Sequence, residues 1–155
     1  MTSERKPGKG GSPPEEVELD IPTPSATPSE DAPVVVVVDD DAAIRTMLVK
    51  ALGSTYTVYE ARDGQEAFGI LSLIPPPSAI VCDVMMPKLD GLGLMKLLRK
   101  DQVLRRVPVL LLTAKDSPMD VVSGINVGAR HYVTKPFKLA DVVTKVTAMT
   151  KGGKG

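Results

Sequence analysis

The chain has 155 residues, 43% of them hydrophobic and 25% charged, with a formal net charge of zero. Without a dense basic stripe, direct DNA binding is not expected; a single cysteine, Cys82, excludes an intramolecular disulfide framework. No apolar run approaches the ~18 residues of a membrane span and no apolar leader opens the chain, so the expectation is a cytoplasmic protein with no membrane contact.

Met1–Pro33 holds seven of the fourteen prolines, and three Lys/Arg against seven Asp/Glu. Such a segment cannot bury enough apolar surface to offset its ordering entropy. It reads as a disordered tail, 1–33, with the Val17–Ile21 alternation as part of a solvated linker. Residues 34–150 have the size of one domain, and 151–155 read as a frayed end.

Five short runs read as strands: Val34–Val38, Thr55–Tyr59, Ala79–Asp83, Val107–Thr113 and His131–Thr134. The first is Val-Val-Val-Val-Val. An apolar run without alternation fits a strand buried on both faces. Helical spacing links Ile44, Met47, Leu48, Ala51 and Leu52. The same holds for Leu94, Leu97 and Leu98, and for Leu139, Val142, Val143, Val146 and Met149. Asp41 is placed to cap the first helix, Asp63 with Glu66 to open the second as a capping box, and Asp90-Gly91 to turn into the third. Strand and helix alternate, which implies an α/β fold with a parallel sheet and helices on both faces.

In such a sheet, ligands collect at the carboxyl ends of the strands. There the first strand runs into Asp39-Asp40-Asp41 and the third ends in Asp83. Parallel strands bring these ends to one edge. Converging carboxylates repel and raise one another's pKa; a hard divalent cation relieves the repulsion. The fourth strand adds the Thr113 hydroxyl and the fifth the Lys135 ammonium. Carboxylates, hydroxyl and lysine together make a site suited to phosphoryl transfer, with a carboxylate as nucleophile.

Asp39-Asp40, Asp83 in Cys-Asp-Val-Met-Met-Pro-Lys-Leu-Asp-Gly, Thr113-Ala114 and Lys135-Pro136-Phe137 stand in order, each at a strand end. In this the chain resembles the response-regulator receiver domain of two-component signalling over roughly Val34–Met149. The resemblance implies a flavodoxin-like, doubly wound, five-stranded parallel sheet of order 2-1-3-4-5, a (βα)5 domain. It implies that Asp83 accepts a phosphoryl group from a sensor histidine kinase or a histidine phosphotransfer protein. Asp40, Asp83 and the Met85 backbone carbonyl would hold Mg²⁺ directly, and Asp39 mainly through water. Lys135 would pair with phosphoryl oxygens. Thr113 would move toward them and Tyr132 would turn inward behind it. Pro136 sits where the family often has a cis peptide.

The expected output is a changed surface of the fourth helix, fifth strand and fifth helix, read by a downstream protein effector. The domain would be a stand-alone regulator, a monomer or a phosphorylation-dependent dimer. It would not be an enzyme beyond self-catalysed phosphoryl acceptance and slow autodephosphorylation. Met85 and Lys115 fall where the family flanks the path of hydrolytic water. Arg130, His131, Lys115 and Lys138 make the output face basic, which fits an acidic, partly apolar partner at a surface that includes Val121. Other readings fare worse. A haloacid-dehalogenase-type phosphohydrolase needs an acid where Met85 stands. A flavin site would need Ser, Thr and Gly where three aspartates repel a phosphate. A pseudo-receiver acting as a constitutive scaffold is the remaining alternative.

Overall fold

The computed structural model describes residues 21–114, 126, 128, 129 and 131–152. Five strands form one sheet in the order β2-β1-β3-β4-β5, all pairings parallel. They are β1 (Val34–Val38), β2 (Thr57–Ala61), β3 (Ala79–Asp83), β4 (Val109–Ala114) and β5 (His131–Lys135). The helices bounded within the described residues are α1 (Ala42–Leu52), α2 (Gly64–Leu71), α3 (Gly91–Lys100) and α4 (Leu139–Gly152), with a 3₁₀ turn at Leu104–Arg106. α4 is the fifth helix of the sequence reading. Lys115, Val121 and Arg130, and so most of the connection from β4 to β5, lie outside the described residues.

The valine run explains the layering. Side chains alternate across a strand, so Val36 and Val38 join one core with Leu71 of α2 and Leu94, Met95 and Leu98 of α3. Val35 and Val37 join the other with Leu48 and Leu52 of α1 and Val142, Val146 and Met149 of α4. Val35–Val38 are fully buried, each contributing roughly 1.5–3 kcal/mol against exposure.

Caps fix where the helices begin. Asp41 accepts from the Ala43 and Ile44 amides at 2.9 and 3.2 Å. Asp63 accepts from the Glu66 amide at 2.9 Å, while Glu66 reaches back to the Arg62 amide at 2.7 Å, one residue before the expected box partner. Asp90 accepts from the Gly93 amide at 2.7 Å.

Several boundaries differ from the sequence reading. β2 starts two residues late, because Thr55 and Tyr56 still donate to the Leu52 carbonyl that closes α1. β4 also starts two residues late, since the Val107 amide bonds Leu104 within the 3₁₀ turn. In α3 the buried set is Leu94, Met95 and Leu98, with Leu97 only partly covered. Lys151 and Gly152 continue α4 rather than fraying.

The largest departure is at residues 21–33, which fall in the expected disordered tail. Here Ser25 donates from its amide to the Val58 carbonyl at 2.7 Å, and the Val58 amide donates to Ala26 at 2.9 Å. This segment pairs antiparallel with the open edge of β2. The sheet edge supplies the partner that the composition could not.

Gly91 places α3 directly against the end of β3. A methyl group there would strike the Asp83 carbonyl oxygen and come within 2.9 Å of Val84 Cα. Both are backbone atoms, so neither moves easily. Gly91→Ala is expected to cost about 1–3 kcal/mol, read as a lowered urea midpoint at unchanged slope.

Candidate functional site

The register brings four strand ends to one edge. Val38 pairs with Cys82, Asp83 with Leu112, and Ala114 with Lys135. Asp39, Asp40 and Asp83 then offer carboxylate oxygens that all lie within 4.8 Å of one another. Asp39 is fully buried and Asp83 nearly so, while Asp40 is exposed.

Lys135 joins the two buried acids. Its Nζ lies 3.2 Å from Asp39 Oδ2 and 3.3 Å from Asp83 Oδ2. The Lys135–Pro136 peptide is cis, as the resemblance implied. Asp39 is gripped further by the Asp41 amide, which donates to its Oδ1 at 2.9 Å, and its own amide donates to Ala61 at 3.1 Å.

Burial, then the charge of Asp39, push the Asp83 carboxyl from 3.8 up to about 6, with Lys135 opposing and Asp40 adding to the rise. Burial disfavours the charge on Lys135, but Asp83 and Asp39 outweigh it and hold the ammonium above its ordinary value. Cys82 is buried and donates to the Asp83 carbonyl at 3.2 Å. Burial, then the charges of Asp83, Asp39 and Asp90, push its thiol well upward. A thiol so held is inert core, not a nucleophile.

Thr113 completes the edge. It is 1% exposed, and among the described residues its Oγ1 is the buried side-chain oxygen or nitrogen that has no hydrogen-bond partner. A buried orphan hydroxyl is costly, so its retention calls for an explanation. Tyr132 lies on the same strand as Lys135 but is 44% exposed. The inward turn that the resemblance implies belongs to the phosphorylated form. The Met85 side chain is 65% exposed on the loop after β3.

Two residues that sequence reasoning missed complete the surroundings. Arg45 of α1 donates from Nη1 to the Asp39 carbonyl at 2.8 Å and from Nε to Glu60 Oε1 at 3.1 Å. Neither residue belongs to a motif, and only the packing of α1 against β2 brings them together.

The donor set is three hard carboxylate oxygens beside a cationic lysine and an unpartnered hydroxyl, which suits a hard divalent cation and a phosphoryl group. The fold and this edge define a parallel α/β domain with an acidic cluster at the carboxyl end of its sheet. Residues 35–147 match the response regulator receiver domain family, and the chain belongs to that family. It is 40% identical over 118 residues to the response regulator MprA of Mycolicibacterium vanbaalenii, covering 76% of this chain and 50% of that protein. It thus spans about half the length of the curated relatives it matches. The signal receiver domain of a Syntrophus aciditrophicus signal transduction histidine kinase superposes with a TM-score of 0.72 at 35% identity, covering 78% of this chain and 92% of that one. The Vibrio cholerae chemotaxis protein CheY4 gives 0.71 at 30%, covering 76% and 98%. The receiver domain of the Pseudomonas aeruginosa sensor kinase PA1611, described with a magnesium ion in its active-site cleft, gives 0.71 at 27%, covering 77% and 98%. This protein is therefore a response regulator receiver domain of two-component signalling. Among the described residues, no helix is long and apolar enough to cross a membrane.

Two predictions come from this geometry. Folding raises the Asp83 pKa from 3.8 to about 6, so the folded chain holds that proton more tightly than the unfolded one. The contribution to stability is full below pH ~4 and is lost as pH rises through ~6. Asp83→Asn is therefore expected to stabilise the metal-free protein at pH 7, on the order of 2 kcal/mol, with the gain vanishing near pH 4. Thermal unfolding in chelator across that range measures it. Thr113→Val removes the orphan hydroxyl at nearly constant shape and is expected to add about 1 kcal/mol, read by urea denaturation.

Proposed function

We propose that Asp83 is the phosphoacceptor of this receiver, charged by the phosphohistidine of a sensor histidine kinase or a histidine phosphotransfer protein. One observation carries this reading. Asp83 is held at 3.3 Å from Lys135, on the sheet edge where the buried Thr113 hydroxyl has no partner. The acceptor, a cation for the new charge and a donor for a new oxygen are all in place before phosphorylation.

A carboxylate oxygen of Asp83 attacks phosphorus. The bond from phosphorus to the imidazole nitrogen breaks, and the imidazole keeps the electron pair. Asp39, Asp40, Asp83 and the Met85 backbone carbonyl would hold Mg²⁺, which when bound supplies positive charge beside the phosphoryl oxygens. Lys135 exchanges one carboxylate contact for a phosphoryl oxygen. Thr113 donates its hydroxyl to another. Consuming a carboxylate, the modification adds about one negative charge, less than the ~1.5–2 of a hydroxyl phosphoester.

The readout is protein contact. As Thr113 moves, Tyr132 turns from its exposed position toward the space behind it. The surface of β5 and α4 then changes. Lys138 is exposed at that surface, which favours an acidic partner. The domain works by such contacts rather than by touching DNA itself, as a monomer or a phosphorylation-dependent dimer. The phosphoryl group leaves by slow autohydrolysis, with Met85 bordering the site.

Intact-mass analysis after acetyl phosphate, with and without Mg²⁺, tests the acceptor. The expected result is one labile phosphoryl group that requires Mg²⁺ and is absent in Asp83→Asn. An unmodified wild-type chain that also fails to bind Mg²⁺ would replace this reading with a constitutive scaffold.

A further inference from the structure

The N-terminal segment that covers β2 also touches the acidic site, through a continuous set of side chains. Ser25 Oγ donates to Glu60 Oε2 at 2.5 Å. The other carboxylate oxygen of Glu60 takes the Arg45 Nε hydrogen at 3.1 Å. The other end of the Arg45 guanidinium donates to the Asp39 carbonyl at 2.8 Å. Each group thus uses one end on each neighbour, from residue 25 to a carboxylate-bearing residue of the site.

The placement of Ser25 is fixed independently. Ser25 and Ala26 are tied to both backbone groups of Val58. Pro33 accepts from the Thr57 amide at 2.9 Å. Ala26 packs against the core between the sheet and α1, and its Cβ comes so near Gly53 that a Cβ there would lie 2.7 Å from it. Gly53, which closes α1, is what lets the segment seat.

Asp39 needs such bracing. Its carboxylate is buried beside that of Asp83, and the two repel. Its side chain is held by Lys135 and the Asp41 amide, but only if its backbone stays put. The Arg45 side chain is 14% exposed and that of Glu60 31%, so this pair is partly shielded from solvent. A lysine cannot replace the arginine, because it lacks the planar fork that spans two acceptors.

We propose that Arg45 and Glu60 are positioning residues for the acidic site and that the N-terminal segment locks them through Ser25. This rests on the reading of Asp39, Asp40 and Asp83 as a cation site. The residues that orient metal ligands typically change affinity by 10–100-fold. A brace one contact further out acts more weakly.

Two readouts on the full chain decide it. Mn²⁺ binding, followed by electron paramagnetic resonance, reports on the site. Amide exchange at Asp41, whose N–H donates to Asp39 Oδ1, reports on the pose of Asp39 without any metal. Arg45→Lys is expected to weaken Mn²⁺ about tenfold and Ser25→Ala about threefold. Both are expected to speed Asp41 exchange. Ser25→Thr keeps the hydroxyl and restores both readouts. The double variant falls no further than Arg45→Lys alone, because the two act through one chain of contacts. Unchanged Mn²⁺ binding in Arg45→Lys, or additive losses in the double variant, overturns the proposal. Should the wild type bind no Mn²⁺, the cation reading itself fails. The bracing is then decided by Asp41 alone: exchange that ignores Ser25 and Arg45 overturns it.

Discussion

Everything at the sheet edge depends on one balance, the repulsion between the buried carboxylates of Asp39 and Asp83 against their shared contact with Lys135. Two acids this buried are unfavourable together. One lysine at 3.2 and 3.3 Å offsets part of that cost but leaves the Asp83 carboxyl raised to about 6. The residual instability falls on Asp83, the residue proposed above as the phosphoacceptor. The surrounding structure is correspondingly over-determined: a fully buried valine strand behind Asp39, Gly91 pressed against the backbone of Asp83, and the Asp41 amide that holds the Asp39 carboxylate.

The unsatisfied Thr113 hydroxyl belongs to the same economy. A protein selected only for stability would place valine there. Retaining a buried hydroxyl without a partner makes sense where an oxygen acceptor arrives later, and Thr113 and Asp83 end neighbouring strands at the same edge of the sheet. On the function proposed above, both destabilising features would be relieved by one event, the arrival of a phosphoryl group with its counterion.

The parts legible in the sequence were those fixed by local rules. A run of five valines is a strand buried on both faces whatever surrounds it, and acids following it must lie at its carboxyl end. Once the strands are parallel, Asp39, Asp83, Thr113 and Lys135 share an edge by topology alone. The misses have the opposite character. Residues 21–33 are rich in proline and poor in apolar side chains, yet Ser25 and Ala26 are ordered by hydrogen bonds to Val58, more than thirty residues on. No composition argument sees a partner that distant. The start of β2 slipped because Tyr56, a good strand residue, is spent on the end of α1 and on a hydroxyl contact with Thr150 at 3.0 Å. Leu97 and Met95 exchanged places because α3 packs on both the sheet and α2, which sets its rotation by neighbours rather than by its own spacing.

Arg45 was hidden for the same reason. Read along the chain, it is one of several polar residues on an amphipathic helix, six positions past Asp39 and with no motif to mark it. Its importance is visible only when β2 lies beside β1 and Glu60 comes alongside α1. Motifs record the atoms that touch a reacting group; the residues that hold those atoms still are specified by packing. In this domain the second set reaches from the acidic edge, through Arg45 and Glu60, to a segment outside the receiver sheet. A sheet edge that must be covered, and an acid that must be braced, are served by the same stretch of chain.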